Sequence, residues 1–282
     1  MELFTKISTL QEALSALHAK GFTIGFVPTM GALHEGHLSL VKQASGMADI
    51  VVVSIFVNPT QFNDKNDLAN YPRTLESDME LLNGHGCDYI FSPTVEEMYP
   101  VEDTRIFEFG NLATVMEGEF RPGHFNGVAQ IVSKLFDVVL PDFAFFGRKD
   151  FQQLAIIKEM VRQMKYPIEI VPCEIVREED GLAMSSRNKL LLPEYRKCAP
   201  MIYQTLRKAN DLAKTKSVAE IKEIVRREIN ATQLLEVEYF EIVDDTTLVA
   251  VKSWTEPGIK VGCIAVFAGK VRLIDNIIFN IN

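Results

Sequence analysis

Residues 22–57 read FTIGFVPTMGALHEGHLSLVKQASGMADIVVVSIFV, and this stretch establishes the fold class. It starts with a short apolar run at residues 22–27, which predicts a buried strand that ends at Pro28. Apolar residues then recur along one side of residues 37–47, as in a helix. Residues 49–57 are rich in β-branched side chains and predict the next strand. A strand, a helix and a second strand in this order indicate parallel pairing with the helix packed on the sheet.

The same alternation extends outward through the first two thirds of the chain. Helices are predicted at residues 75–82, 128–139 and 151–164, and strands at residues 88–91, 143–146 and 168–171. Such alternation favours an α/β fold with a mostly parallel sheet covered by helices on both faces. We therefore expect a Rossmann-like, doubly wound sheet, in which ligands bind at the carboxyl ends of the strands.

The last third of the chain has a different pattern. Helices are predicted near residues 194–214 and 218–230, and strand-like runs follow at residues 237–243, 262–267 and 270–279. Helices followed by a run of strands suggest a separate α+β unit. We expect a larger α/β domain over residues 1–176 and a smaller C-terminal α+β domain over residues 177–282.

Composition limits the kinds of partner. The chain has 282 residues, of which 47% are hydrophobic and 24% charged, as in ordinary globular proteins. Its net charge of −9 argues against wholesale binding to nucleic acid or to an anionic membrane. The most apolar run, at residues 50–57, is far shorter than the roughly 20 residues that span a bilayer. Because the start lacks a signal-peptide pattern and the four cysteines are scattered, we expect a cytoplasmic protein with reduced thiols.

Two histidines lie in the loop between the first strand and its helix, where residues 28–37 read PTMGALHEGH. Gly31 and Gly36 are expected to let the backbone turn sharply and approach a ligand closely. A helix that begins near His37 points free amide groups and its positive end at the loop, which favours a phosphate. His34 and His37 could both donate hydrogen bonds to a polyphosphate. Structurally satisfied surface histidines and a metal site are the alternatives, although no third ligand stands at zinc-like spacing.

A second polar stretch follows the next strand, at residues 57–62. It opens at the same edge of the sheet as the histidine loop, since parallel strands end on the same side. Asn58 and Gln61 carry neutral donors and acceptors that suit a hydroxylated acid. The Asn-Pro pair is also a good turn starter, which is the structural alternative.

Two further stretches carry positive charge. Residues 147–153 stand between a strand and a helix, where Lys149 could neutralise a phosphate. Asp150 could hold a sugar hydroxyl, although an ordinary helix N-cap explains it equally well. Residues 184–188 read MSSRN in a polar loop. Two hydroxyls and a guanidinium suit a phosphate clamp, but this composition is also common in loops.

Together the four motifs resemble those of the pantoate–β-alanine ligase family. They stand in the family's order between residues 27 and 188, with YPRT at residues 71–74 and RPGHF at residues 121–125 between them. The resemblance implies an ATP-dependent ligase that joins pantoate to β-alanine through a pantoyl adenylate and releases AMP and pyrophosphate. It further implies Mg²⁺ with the nucleotide, a cytoplasmic homodimer, and a catalytic role for residues 1–176.

The resemblance also implies roles for individual residues. The ATP-binding residues would be Met30, Gly31, Ala32, Leu33, His34, Glu35, Gly36, His37, Gly147, Arg148, Lys149, Asp150, Val176, Met184, Ser185, Ser186 and Arg187. Of these, His34, His37, Lys149 and Arg187 would act on the transferring phosphates, and Arg148 is given no specific role. Gln61 and Gln153 would hold pantoate, Gln61 would also touch β-alanine, and Asp78 would assist Mg²⁺.

Two other functions remain open on the sequence alone. A nucleotidyltransferase of the same superfamily would share the histidine loop and the Ser-Ser-Arg clamp. It would need additional cations for a phosphorylated substrate, where this chain has Gln61 and Gln153. A non-catalytic nucleotide-binding regulator is less well supported, because binding alone does not require both imidazoles together with Lys149 and Arg187.

Attack of a carboxylate on phosphorus needs alignment and charge neutralisation rather than a protein nucleophile.

Overall fold

The computed structural model describes residues 1–63 and 65–281. The chain divides into two compact units, which we call the N-terminal unit and the C-terminal unit. The N-terminal unit comprises Met1–Ala113, Glu117–Arg148 and Gln153–Glu174. The C-terminal unit comprises Thr114–Met116, Lys149–Gln152 and Ile175–Asn282. Two short segments from the first two thirds of the chain, one of them containing Lys149, therefore belong to the C-terminal unit.

The N-terminal unit is built around a parallel sheet. Its strands are β1 (Glu2–Phe4), β2 (Ile24–Thr29), β3 (Ile50–Ile55), β4 (Tyr89–Phe91), β5 (Phe143–Gly147) and β6 (Glu169–Cys173). Its helices are α1 (Ile7–His18), α2 (Glu35–Ser45), α3 (Lys65–Asn70), α4 (Leu75–Leu82), α5 (Val95–Met98), α6 (Glu117–Phe120), α7 (His124–Val139) and α8 (Phe151–Met164). The first two residues of α8 belong to the C-terminal unit.

The strands lie in the order β1-β4-β3-β2-β5-β6, and all the neighbouring pairs are parallel. One face of the sheet packs against α1, α7 and α8 around Phe26 and Phe136. The other face packs against α2 and α4 around Val53 and Phe145. The predicted doubly wound α/β fold is confirmed. Because the chain moves outward from β2 in both directions, the strand order reverses between β2 and β5, where such sheets bind ligands.

Strand β2 continues past Pro28 to Thr29, so the predicted end at Pro28 is wrong. The ladder between β2 and β5 stops at Phe26, which pairs with Ala144. Residues of even number in β2 face β5, since the carbonyl of Ile24 accepts from the Asp142 amide at that side. The nitrogen of Pro28 therefore stands at the next donor position toward β5, and it has no N–H to continue that ladder. The strand itself continues because the pairing of β2 with β3 extends to Thr29.

The C-terminal unit has an antiparallel sheet, β7-β8-β9, formed by Leu235–Asp244, Lys260–Ala268 and Val271–Ile278. Helices α9 (Pro193–Cys198), α10 (Met201–Leu212) and α11 (Val218–Asn230) accompany it. The single helix predicted near residues 194–214 is in fact two, because Pro200 cannot donate a backbone hydrogen bond and interrupts the run. Helices and sheet share one apolar core, centred on Leu206, Ile221 and Phe240.

One strand of the fold was not predicted. The short edge strand β1 pairs with β4 through Glu2–Phe4, and no strand was predicted among these first residues.

Within residues 1–63 and 65–281, no helix combines the length and the apolar character that a membrane span requires.

Candidate functional site

The histidine loop leaves the carboxyl end of β2 and ends on the first turn of α2. His34 is the N-cap of α2, and its Nδ1 atom accepts a hydrogen bond from the Gly36 amide at 3.1 Å. The Nδ1 atom of His37 accepts from the His34 amide at 3.3 Å. The two rings lie 4.1 Å apart between centroids. Since both Nδ1 atoms are acceptors, each neutral ring carries its proton on Nε2, so both side chains are donors at that atom.

Gly36 lies in α2 itself, so the predicted sharp turn at this residue is wrong. The reason is that the His34 side chain caps the helix, which begins at Glu35, two residues earlier than the apolar pattern indicated. Gly31 does take the turn, with φ of 81°, and the following Ala32 has φ of 51°. A Cβ atom on Gly31 would stand 3.0 Å from both Asp78 Oδ2 and Ile55 Cγ2, so the position also lacks room for a side chain.

Asp78 anchors this loop from α4. Its side chain is buried, and its two oxygens accept hydrogen bonds from the backbone amides of Ala32 at 3.0 Å and Leu33 at 2.7 Å. The Thr74 hydroxyl lies 3.3 Å from both oxygens. Through these contacts the carboxylate binds the loop backbone and stabilises the positive-φ conformation of Ala32. The role of Asp78 toward Mg²⁺ stays a prediction without support from these contacts.

Gln61 closes a 3₁₀ turn, Pro59–Gln61, that follows β3. Its side chain is buried, and Nε2 lies 2.8 Å from the Met30 Sδ atom in the histidine loop. The structure thus brings together two residues predicted for the site. Asn58, also buried, binds the backbone carbonyl of Gly127 at 3.1 Å and accepts from the Tyr99 hydroxyl at 2.8 Å. Asn58 therefore secures the turn.

His124 lies in the RPGHF motif, to which no specific role was assigned from the sequence. It is the first residue of α7 and is buried. Its Nδ1 atom lies 2.8 Å from the backbone carbonyl oxygen of Gln61, and its Nε2 atom lies 3.1 Å from Arg121 NH1. The RPGHF motif at residues 121–125 was the only sequence signal, and it did not reveal which residue the imidazole would contact.

Three further predicted residues lie where β5 ends and α8 begins. Gly147 ends β5, and a Cβ atom there would meet nothing within 4 Å. The backbone amide of Arg148 donates to the Cys173 carbonyl. The side-chain Nε atom of Arg148 pairs with Glu174 Oε1 at 3.2 Å. Gln153 is half-buried in the first turn of α8.

In the C-terminal unit, Lys149 and Ser185 line one small cavity, together with Asn188 and Asp275. The Lys149 side chain is 20% exposed, and its Nζ atom lies 3.9 Å from Asp150 Oδ2. The side-chain amide of Asn276 donates to the Lys149 carbonyl at 3.0 Å, which fixes the backbone at that residue. A cation and a hydroxyl predicted for the same ligand therefore face the same space.

The Ser-Ser-Arg segment forms a 3₁₀ helix, Ser186–Leu190, that is N-capped by Ser185. Ser185 Oγ accepts from the Arg187 amide at 3.2 Å. Just before it, the Met184 amide donates to the Val176 carbonyl at 3.0 Å, so two predicted ATP-binding residues are paired directly. The Asn188 side chain binds Glu178 Oε1 at 2.7 Å and the Ala183 carbonyl at 3.1 Å, which holds the segment in place.

Comparison with known proteins identifies the family. The model of the family described as "Pantoate-beta-alanine ligase" matches residues 2–278. The chain belongs to the pantoate–β-alanine ligase family. A curated relative from Bacteroides thetaiotaomicron, "Pantothenate synthetase", is 60% identical over 277 residues, which are 98% of each chain.

Solved structures of other members have the same fold. Pantothenate synthetase from Thermus thermophilus is 43% identical, with a TM-score of 0.92 over 98% of this chain and 99% of that one. The enzyme from Francisella tularensis, complexed with β-γ ATP and β-alanine, is 35% identical, with a TM-score of 0.85 over 99% of this chain and 97% of that one. Membership therefore extends over both units.

Proposed function

We propose that the chain condenses pantoate with β-alanine to form pantothenate, at the expense of ATP. A carboxylate oxygen of pantoate bonds to the α-phosphorus of ATP, and the bond to the leaving pyrophosphate breaks. The amino nitrogen of β-alanine then bonds to the acyl carbon and loses a proton, while the bond between that carbon and the AMP oxygen breaks. Family membership and the ATP and β-alanine in the Francisella relative support this proposal.

The observation that carries the proposal is the pair of imidazoles at the start of α2. His34 and His37 use Nδ1 to hold each other and the helix terminus, and each neutral ring keeps Nε2–H as a donor. Two fixed donors beside the positive end of a helix suit the negative charge that develops on transferring phosphates. We assign to both a direct role in adenylate formation.

We assign the remaining ATP contacts as the resemblance implies. They would be made by Met30, Gly31, Ala32, Leu33, Glu35, Gly36, Gly147, Arg148, Lys149, Asp150, Val176, Met184, Ser185, Ser186 and Arg187. Lys149 and Arg187 would neutralise phosphate charge, since a guanidinium binds phosphate oxygens in a bidentate manner and an ammonium acts as a point charge.

Gln61 and Gln153 are proposed to hold pantoate, with Gln61 also in contact with β-alanine. Gln61 is only 9% exposed, so its amide would bind a hydroxy acid away from competing water. A buried neutral amide suits hydroxyl and carboxylate groups better than a second phosphate. This favours the ligase over the nucleotidyltransferase that shares the histidine loop.

Mg²⁺ is proposed to enter with the nucleotide. Among residues 1–63 and 65–281, no group of three His, Cys, Asp or Glu residues could hold a metal ion. This fits Mg²⁺, which keeps several waters and binds mainly through substrate phosphates. The ion would neutralise phosphate charge, while the protein holds the phosphate donors. We further propose a homodimer located in the cytoplasm.

An omission experiment tests the proposed function. AMP and pantothenate should form only when ATP, Mg²⁺, pantoate and β-alanine are all present. With β-alanine omitted, the chain should still exchange labelled pyrophosphate into ATP, and only when pantoate is added. Pantoate labelled with heavy oxygen in its carboxylate should place one labelled atom in AMP. ADP with phosphate as products, or label in pyrophosphate, would contradict the adenylate route and indicate an acyl phosphate instead.

A further inference from the structure

The backbone carbonyl of Gln61 is held by a buried histidine that lies 63 positions away in the chain. His124 contacts two groups of opposite character. The Gln61 carbonyl can only accept, so the Nδ1 atom of His124 at 2.8 Å must donate. The Arg121 guanidinium can only donate, so the Nε2 atom at 3.1 Å must accept. Only one form satisfies both contacts, namely a neutral ring with its proton on Nδ1.

The other protonation states would each break a contact. A charged ring has N–H groups at both nitrogens and would set one against the Arg121 N–H. The neutral tautomer with its proton on Nε2 would conflict with Arg121 and leave the Gln61 carbonyl without this donor. Glu117, which is also buried, lies 3.6 Å from Arg121 NH1 and balances its charge. His124 is 6% exposed, so water could not easily replace either contact.

The packing around this hydrogen bond fixes the position of the turn that carries Gln61. Gly127, one turn further along α7, lies against the 3₁₀ turn Pro59–Gln61. A Cβ atom on Gly127 would come within 2.4 Å of the Thr60 carbonyl oxygen. Asn63 donates to the Pro122 carbonyl at 2.6 Å. The turn that carries Gln61 is therefore pressed against the start of α7, and His124 provides the buried hydrogen bond at that contact.

We propose that His124 is a positioning residue for pantoate, which acts by holding the Gln61 backbone so that the Gln61 amide faces the substrate. This proposal rests on the proposed function, since it assumes that Gln61 binds pantoate. His124 is not a catalytic residue, because both ring nitrogens are engaged with protein groups. The sequence pattern RPGHF thus contributes to substrate binding through a backbone contact.

Two amide variants separate the two ring contacts. The amide nitrogen of asparagine occupies nearly the place of Nδ1 in histidine, whereas that of glutamine lies near Nε2. We expect His124→Gln to raise the KM for pantoate about tenfold, because a buried carbonyl loses its donor, while the KM for ATP changes less than about twofold. His124→Asn should keep the KM for pantoate within about threefold of wild type, because the donor remains. Thermal unfolding of each variant checks that it is folded.

Several outcomes would overturn the positioning role. One is an unchanged KM for pantoate in a folded His124→Gln variant. Another is an equal rise in the KM values for pantoate and ATP. A larger defect in His124→Asn than in His124→Gln would show that the donor at Nδ1 is not what matters.

A spectroscopic measurement tests the same inference without substrates. In protein labelled with ¹⁵N-histidine, the ring whose signals vanish in His124→Gln should be neutral with its proton on Nδ1. A His124 ring protonated on Nε2 would overturn the inference even if the chain proved to be an active ligase. Absence of pantoate-dependent turnover with the Nδ1–H form present would instead overturn the proposed function and, with it, the role for pantoate.

Discussion

His37 accepts a hydrogen bond at Nδ1 from the backbone amide of His34, across 3.3 Å, while His34 itself caps α2 through its own Nδ1. The two imidazoles therefore contribute to the structure with one nitrogen and present a donor with the other. His124 has the opposite arrangement, since its Nδ1 is the donor. The tautomer of each ring follows from its neighbours, which means that structural and chemical contributions can be separated by substitution.

His34 is predicted to combine two separable roles. His34→Asn should slow pantoate-dependent pyrophosphate exchange by about 100-fold, because a phosphate donor is lost. Asparagine is a good N-cap, so the free energy of unfolding should change little, whereas His34→Ala should also lose about 1 kcal/mol of stability. Chemical denaturation and exchange rates measure the two effects. Wild-type exchange in folded His34→Asn would contradict the proposed role.

Gln61 and Gln153 are predicted to contribute to the binding of pantoate rather than to the binding of ATP. Truncation of either to alanine should weaken pantoate binding by about 1–3 kcal/mol, because a hydrogen-bonded partner is left unpaired. Calorimetric titration with each substrate measures this. Gln152→Ala is the matched control, since this neighbouring amide donates to the Val115 carbonyl at 2.8 Å within the C-terminal unit. Equal losses for pantoate and ATP in the two site variants would place these residues elsewhere in the site.

Asp78→Asn separates the support that this carboxylate gives to the histidine loop from the Mg²⁺ role that the family resemblance implies. Asp78→Asn should lower the free energy of unfolding by about 1–3 kcal/mol, since an NH₂ group would face a loop amide that now donates to the carboxylate. ATP use should weaken as the loop loosens, but the Mg²⁺ concentration that gives half-maximal activity should stay the same. A marked rise in that concentration would restore the metal role implied by the family resemblance.

Asp103 gives a prediction on pH. Its hydrogen bonds with the Arg105 side chain lower its pKa from 3.8 to about 2, and its side chain is 4% exposed. A carboxylate with a depressed folded-state pKa stabilises the fold above its unfolded value, and this contribution is lost as the pH falls from about 4 to about 2. Asp103→Asn should therefore cost on the order of 2 kcal/mol near pH 7 and almost nothing near pH 2. Denaturation at several pH values measures the difference, and a cost that does not depend on pH would contradict this explanation.

Most helices and strands could be predicted because their sequence signals are local. Helices α4, α8 and α11 begin and end at the predicted residues, since apolar spacing and flanking residues define them. Errors arose where strand pairing or capping extended an element beyond its apolar pattern. Strand β2 includes Pro28 because its pairing with β3 continues to Thr29, and α2 starts early because His34 caps it.

The site was predicted in its motifs but not in its internal contacts. Three of the four polar stretches were recognisable because each follows a predicted strand, and the fourth because two hydroxyls and a guanidinium stand together in a polar loop. No spacing could indicate that Asp78, 45 positions from Leu33, binds the histidine loop through backbone amides. Likewise, the contact between His124 and the Gln61 carbonyl depends on how α7 packs against the turn after β3.

The α/β class, the family and the identity of the polar stretches all followed from the amino-acid sequence, because apolar periodicity and short motifs are encoded in consecutive residues. What each polar side chain binds was settled by the tertiary structure. A carboxylate or an imidazole has the same chemistry at any position, and its partners are set by segments that folding brings within about 3 Å. For this reason Asp78 became a loop anchor, His34 a helix cap, and His124 a support for Gln61.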